Sequence, residues 1–186
     1  NAIAVCSEII GRGLGGRVRW YAYCSPTPFT DELAEVFLKA GCAGINFGAD
    51  SGNDAMLRRL GHNFSKEDLA ATARICRQHG LNFMYDLLLG GPGETRETLR
   101  ETMDLMKRIS PGRVGVSLGV RLFPGTKLAA EVQAEGPLVC NPSVRGKVTG
   151  SPSLLAPVFY LSAELGWDCE NYLAGLIGGD QRFFFA

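Results

Sequence analysis

The chain has 186 residues, 46% of them hydrophobic and 20% charged, so it is long enough for one domain with a sizeable core. Its 19 basic and 19 acidic residues balance and no basic run stands out, which argues against a nucleic-acid partner. No apolar stretch approaches the roughly 20 residues of a membrane helix, and the first residues do not resemble a signal peptide. We therefore expect a cytoplasmic protein with a small-molecule ligand, and neither nucleic acid nor membrane as a partner.

The six cysteines are too widely spaced for a metal or cluster motif. Cys6, Cys24 and Cys42 follow one another at intervals of 18 residues, and no CxxC or CxxxC pair occurs. We interpret the cysteines as free thiols that pack as small hydrophobic side chains in a reducing compartment.

Strand and helix patterns alternate along the first 134 residues, which predicts parallel strands joined by helical crossovers. The signals for helix starts and ends are mostly Ser or Thr before the helix and Gly after it. In chain order we predict helix 2–10, strand 18–24, helix 31–40, strand 44–50, helices 54–60 and 66–79, strand 81–89, helix 96–109, strand 113–123 and helix 127–133.

Each predicted strand has one apolar face and one face of polar or small side chains. Strands of a doubly wound parallel sheet are apolar on both faces, whereas a barrel that holds a ligand in its lumen has strands of this kind. We therefore favour an arc of a (β/α) barrel, with helices on its outer face only, over an open doubly wound sheet. Four strands are too few to close a barrel. The side chains expected to face the lumen and meet a substrate are Tyr21, Tyr23, Asn46, Asp86 and Arg121.

Residues 135–186 are predicted to form an extension of the barrel portion, residues 1–134. Residues 135–152 are rich in Gly, Pro and Ser and predict a loop, followed by helices over 153–165 and 169–177. The apolar ending RFFFA is predicted either to tuck into the fold or to form a contact surface.

Three segments carry the candidate chemistry. LLLGGPGET (87–95) places glycines between a strand and a helix; it could expose backbone groups to a ligand, or form a tight turn whose Glu94 complements the helix dipole. GADSGND (48–54) could present Asp50 and Ser51 to a ligand, or form an Asx-type turn. RLFPGT (121–126) carries Arg121, which could bind a carboxylate or form an ion pair with Asp86.

In their order and spacing these segments resemble the radical S-adenosylmethionine (SAM) superfamily. The resemblance is closest to members that carry a cobalamin-binding domain ahead of the barrel, whose WYAYC, GINFG and FYLSAELG…RFFF segments are similar to those of this chain. It implies a partial (β/α)6 barrel, of which this chain supplies about strands three to six. SAM lies across the carboxyl ends of the strands in that family.

The resemblance also implies a set of cofactor-binding residues. Asp50 and Ser51 match positions that touch the SAM ribose or amino acid moiety, and His62 falls where many relatives place an Arg near the SAM carboxylate. The adenine would lie between two further segments, which in this chain are represented by Leu89, Gly91 and Glu94 on one side and Phe123 and Pro124 on the other.

The cluster-binding CxxxCxxC loop of the superfamily, which follows its first strand, has no counterpart in this chain. The resemblance implies that the intact enzyme holds a [4Fe-4S] cluster, cleaves SAM reductively to a 5′-deoxyadenosyl radical and, if cobalamin is bound, transfers a methyl group. We expect this chain alone to be inactive. We also expect the edge of strand 18–24 to be covered, either by self-association or by the carboxy-terminal tail.

Two alternatives from other classes remain open at this point. One is a (β/α)-barrel hydrolase or aldolase with Asp86 as base and Arg121 as anion clamp. The other is a non-catalytic module that only binds a nucleotide-like ligand or a partner chain.

Overall fold

The computed structural model of the chain describes residues 2–146 and 156–185. The helices are α1 (Ala2–Gly11), α2 (Asp31–Lys39), α3 (Asp54–Arg59), α4 (Lys66–His79), α5 (Arg96–Ile109), α6 (Lys127–Ala134) and α7 (Cys169–Ile177). The strands are β1 (Trp20–Cys24), β2 (Cys42–Asp50), β3 (Phe83–Leu89), β4 (Arg113–Leu118), β5 (Val120–Arg121), β6 (Val144–Gly146), β7 (Val158–Tyr160) and β8 (Phe183–Phe185). Short 3-10 helices cover Leu138–Cys140 and Ala163–Leu165.

The main sheet has five parallel strands in the order β1-β2-β3-β4-β8. Its register places Tyr23 beside Asn46, Gly48 beside Asp86, and Asp86 beside Gly115. The predicted parallel sheet of at least four strands is therefore confirmed.

The two faces of this sheet differ in the way that the sequence predicts. In β3, Tyr85 and Leu87 are buried, whereas Met84 and Asp86, on the other face, are half-buried. In β1, Ala22 is buried while Tyr23, on the other face, is 83% exposed. We call the face that carries Tyr21, Tyr23, Asn46 and Asp86 the open face. Helices α1 to α5 and α7 contribute to the core on the opposite face, as expected for a barrel arc, whereas α6 packs against the second, smaller sheet.

Local sequence signals set where the helices begin and end, and which side chains they bury. Ser65 and Thr95 form capping boxes at the starts of α4 and α5, and Gly80 ends α4 in the left-handed conformation. Helix α5 buries a stripe at helical spacing that includes Leu99 and Met103. Burying each such side chain contributes about 1.5–3 kcal/mol.

The prediction of one strand over 113–123 is wrong beyond Leu118. Gly119, with φ 96°, turns the chain out of the main sheet, and β5 then pairs antiparallel with β7 in a second sheet of order β5-β7-β6. Arg121 is therefore exposed and lies over the Phe123 ring, 4.6 Å from its centroid. The expectation that Arg121 shares the open face with Asp86 is wrong, because β5 does not belong to that sheet.

The carboxy-terminal extension also differs from its prediction. Within the predicted helix 153–165, the described residues form β7 and a 3-10 turn, while 153–155 lie outside the described residues. Within the predicted loop 135–152, the structure has a 3-10 helix and β6, and 147–152 lie outside the described residues. Helix α7 confirms the prediction for 169–177.

The apolar tail is tucked into the fold. Strand β8 pairs in parallel with β4, from Val114 beside Phe183 to Val116 beside Phe185. This is the edge of the sheet opposite β1, so the prediction that the tail captures the β1 edge is wrong.

Candidate functional site

An aspartate–histidine pair lies where β2 ends. Asp50 has φ 60°, a left-handed conformation that costs a non-glycine residue on the order of 1–3 kcal/mol. Its Oδ2 is 2.8 Å from Nε2 of His62, whose ring packs on Phe64 with centroids 4.5 Å apart. The exposed fractions are 30% for Asp50 and 23% for His62, so a ligand can reach both side chains. The structure thus brings together two residues that the resemblance had indicated separately.

Ser51, the next residue, has its side chain on the helical side. It is buried, its Oγ lies 3.1 Å from Oγ1 of Thr102 on α5, and it accepts the backbone N–H of Asn53. Gly52 comes so close to α5 that an added Cβ would lie 3.0 Å from Cα of Thr102. The Ser51 hydroxyl therefore holds the loop after β2 against α5, and the Asp50 carboxylate is the side chain that this loop offers to a ligand.

Glu94 closes the glycine turn after β3. Its side chain is 1% exposed, and Oε2 accepts the backbone N–H of Gly90. Burial raises the pKa of Glu94 to about 7, although hydrogen bonds from Gly90 and Gly91 act in the opposite direction. The other oxygen, Oε1, is buried and has no hydrogen-bond partner among the described residues. Glu94 therefore shapes the turn through its side chain.

Gly119 and two residues of the extension hold the same turn in place. The carbonyl of Leu89 accepts the N–H of Gly119 at 2.7 Å, and the carbonyl of Gly90 accepts the N–H of Ser162 at 2.9 Å. Gly90 has φ 87°, and a Cβ there would collide with Leu161. Leu161 and Ser162 were not predicted to contact this turn, because their sequence pattern indicates a helix.

Phe123 and Pro124 follow β5, and both are exposed. The Phe123 ring is 49% exposed, with the Arg121 guanidinium on one face. Because the carboxyl ends of parallel strands meet at one edge of a sheet, the ends of β2, β3 and β4 lie side by side. We call this region, with the Asp50–His62 pair and the Gly90–Glu94 turn, the carboxyl edge.

A second polar group lies in the middle of the open face. Nδ2 of Asn46 donates to Oδ2 of Asp86 at 2.6 Å. A groove of about 410 Å³ extends from Asn46 towards the amino-terminal ends of the strands, and its lining includes Tyr21, Tyr23, Met84 and Arg113. This groove is distinct from the carboxyl edge.

The described residues do not fit an iron–sulfur cluster. No group of three His, Cys, Asp or Glu side chains among them could hold a metal ion, and all six cysteines are free. Burial raises the pKa of Cys24 and Cys42, and raises that of Cys76 to about 12, so these thiols stay protonated at neutral pH. The described helices are also too short or too polar to cross a membrane.

A family model for the radical SAM superfamily matches residues 3–106, more than half of the chain. The chain belongs to the radical SAM superfamily. This membership removes the hydrolase or aldolase alternative, whose anion clamp Arg121 also lies in the second sheet, away from Asp86.

Among its relatives, the chain is similar to tryptophan 2-C-methyltransferase of Streptomyces laurentii, at 40% identity over 118 residues, 60% of this chain and 20% of the relative. Its fold matches the radical SAM methyltransferase TsrM of Kitasatospora setae with cobalamin and a [4Fe-4S] cluster bound, with TM-score 0.84 and 27% identity over 100% of this chain and 42% of TsrM. TsrM with tryptophan and a SAM analogue bound gives TM-score 0.83 at 27% identity, over 97% and 41% of the chains. The chain thus spans less than half of these radical SAM relatives.

Two solvent-accessible side chains have the chemistry that a SAM site requires. Asp50 uses Oδ2 for His62, and its Oδ1 has no hydrogen-bond partner in the described part of the chain. A free carboxylate oxygen can accept from a ribose hydroxyl or an ammonium group, and an exposed aromatic ring can stack on an adenine. Asp50 and Phe123 supply these two features in this radical SAM chain.

Proposed function

We propose that this chain is the SAM-binding part of a cobalamin-dependent radical SAM methyltransferase that methylates tryptophan or a related aromatic amino acid. The observation that carries the proposal is the carboxyl edge, where the half-exposed Asp50–His62 pair and the Glu94-closed turn end neighbouring strands. The likeness to tryptophan 2-C-methyltransferase and to TsrM supports the substrate class.

The residues of the carboxyl edge bind and orient SAM in this proposal. Asp50 accepts a hydrogen bond from the ribose or the amino group, while His62 holds the Asp50 carboxylate in place. The adenine lies between two sets of residues, with Phe123 and Pro124 on one side and Leu89, Gly91 and the Glu94-held turn on the other. When bound, one SAM molecule would supply the methyl group, and the reductive cleavage of a second to methionine and a 5′-deoxyadenosyl radical would supply the radical.

The [4Fe-4S] cluster and cobalamin belong, in the same proposal, to segments of a longer polypeptide outside this chain. The support is that the described residues offer no cluster ligands and that the chain covers 42% of TsrM. The chain alone is then inactive. A cytoplasmic location is also proposed, supported by six free cysteines.

Among the described residues β1 pairs with β2 alone, so its outer edge is open to another strand. We propose that the isolated chain self-associates through this edge. Sedimentation over a range of protein concentrations tests this proposal. We expect the chain to associate, and we expect an Ala22→Pro substitution in β1 to abolish the association. A monomer at every concentration would contradict the proposal.

Labelled methyl transfer tests the proposed function. The full-length protein that contains this chain is loaded anaerobically with iron, sulfide and cobalamin. It is then given tryptophan, dithionite as the reductant, and SAM that carries a deuterated methyl group. We expect labelled methyltryptophan by mass spectrometry. His62→Ala should slow transfer about tenfold, the effect of losing about 1.4 kcal/mol of stabilisation.

His79→Ala is the matched control, because it removes a second Asp–His pair, which lies on the helical side of the sheet. In this pair His79 Nε2 is 2.9 Å from Asp31 Oδ1. It should leave transfer unchanged. A loaded protein that transfers no label to tryptophan, or a His62→Ala variant as fast as the unsubstituted protein, would contradict the proposed function.

A further inference from the structure

The centre of the open face holds a carboxylate without a cation. Asp86 is half-buried and forms no ion pair among the described residues; its one hydrogen bond is from Nδ2 of Asn46 at 2.6 Å. The neighbouring position on β4 is Gly115, and a Cβ there would overlap Oδ1 of Asp86. The glycine therefore leaves the space in which the Asp86 carboxylate lies.

Asn46 adds a second acceptor that has no donor. Because an ionised carboxylate only accepts hydrogen bonds, the amide nitrogen of Asn46 must face Asp86, and its oxygen points away. This Oδ1 is buried and has no partner in the described part of the chain. A buried acceptor without a donor costs about 1–3 kcal/mol. The Asp86–Asn46 pair therefore has more acceptors than donors, and the half-buried Asp86 carboxylate is the acceptor that a ligand can reach.

The surroundings of the pair suit an aromatic body. Tyr23 lies beside Asn46 in the sheet register, and Tyr21 and Tyr23 are 73% and 83% exposed on the same face. Gly44 gives room for the Tyr21 ring, since a Cβ there would lie 3.1 Å from the ring. The groove of about 410 Å³ beside them has the size of a small-molecule pocket. Tyrosine rings stack on flat ligands and stabilise nearby cations.

We propose that the Asp86–Asn46 pair binds the primary ammonium group of the substrate, while Tyr21 and Tyr23 hold its aromatic body. An ammonium group carries a positive charge and three donors, so it can bond the Asp86 carboxylate while the Asp86–Asn46 hydrogen bond stays in place. The substrate class is an aromatic amine or amino acid with a free amino group. This inference rests on the proposed function, because it names the substrate of that enzyme, but it concerns a site separate from the SAM-binding edge.

Three ligands that differ in one group each test the inference. Tryptophan, tryptamine, which has the amine without the carboxylate, and indole-3-propionate, which has the carboxylate without the amine, are titrated calorimetrically into the full-length holoenzyme. Tryptophan and tryptamine should bind within about tenfold of each other. Indole-3-propionate should bind at least about tenfold more weakly, which is about 1.4 kcal/mol.

Two substitutions localise the effect. Asp86→Asn and Gly115→Ala should each weaken tryptamine binding about tenfold or more. SAM binding, measured on the same proteins, should be unchanged. Asp104→Asn on the exposed side of α5 is the matched control and should leave both ligands unaffected.

Equal binding of tryptamine and indole-3-propionate, no binding of any of the three ligands, or normal tryptamine binding by Asp86→Asn would each overturn the inference. The SAM titration shows whether a negative result overturns the ammonium site or the proposed function. A holoenzyme that binds SAM but does not select amines overturns the ammonium site alone, and one that does not bind SAM overturns the proposed function.

Discussion

Glu94, at the carboxyl edge, changes its protonation on folding. Burial raises its pKa from 4.5 to about 7. Between these two values the folded chain holds the proton and the unfolded chain releases it, so the free energy of unfolding decreases as the pH rises through this range. The contribution of Glu94 to the free energy of unfolding is complete below about pH 4.5 and is lost above about pH 7. The difference in pKa corresponds to about 3 kcal/mol.

Glu94→Gln should remove this pH dependence, because glutamine does not titrate and can still accept the Gly90 N–H. Denaturant unfolding at pH 5 and pH 8 measures it. Between these values the free energy of unfolding of the unsubstituted chain should fall by about 2.5 kcal/mol more than that of the variant. Glu97→Gln, an exposed position in the first turn of the same helix, should behave like the unsubstituted chain. The same pH dependence in all three proteins would show that Glu94 does not carry the effect.

Which residues belong to the carboxyl edge could be predicted only in part. Asp50 and His62 were indicated separately by the resemblance, but their hydrogen bond depends on how the loop returns to the end of β2. The orientation of the Ser51 hydroxyl depends on Thr102, 51 positions further along the chain. Contacts over such separations leave no local pattern in the sequence.

At the scale of elements, the tail is the part of the extension that completes the main sheet. Phe183 in β8 is 8% exposed and belongs to the main core, whereas Phe185, two positions on, is 61% exposed. The two phenylalanines share one strand and one partner, β4, so they differ mainly in burial.

Phe183→Ala should therefore lower the free energy of unfolding by about 3–5 kcal/mol, the usual cost of removing a buried phenylalanine. Phe185→Ala should lower it by about 0.5 kcal/mol or less, as is typical for a surface position. Chemical denaturation of the two variants at one pH gives both values. Similar losses for the two would mean that β8 is not packed as the structure has it.

The elements that the sequence predicts well are those with local signals. The starts of α4 and α5 were located from Ser65 and Thr95, because a cap bonds to backbone within the next few residues. The break after Leu118 was not predicted, because β5 leaves the main sheet to pair with β7, about 40 residues away. Strand pairing over that distance can override an alternating pattern.

At the scale of the whole molecule, the proposed enzyme needs a cluster for which the described residues offer no ligands. Three thiolates would have to converge on one site, and no such group exists among the described residues. Anaerobic treatment of this chain with iron and sulfide should leave substoichiometric iron and no dithionite-dependent 5′-deoxyadenosine. Stoichiometric iron together with that product would contradict the account.

The central claim is that the carboxyl edge binds SAM through Asp50, and calorimetric titration of SAM into this chain tests it most directly. Asp50→Ala is compared with Asp31→Ala, which breaks the Asp31–His79 pair on the helical side instead. We predict one SAM per chain, an affinity about tenfold lower for Asp50→Ala, and an unchanged affinity for Asp31→Ala. Absence of SAM binding, or equal binding by both variants, would contradict the claim.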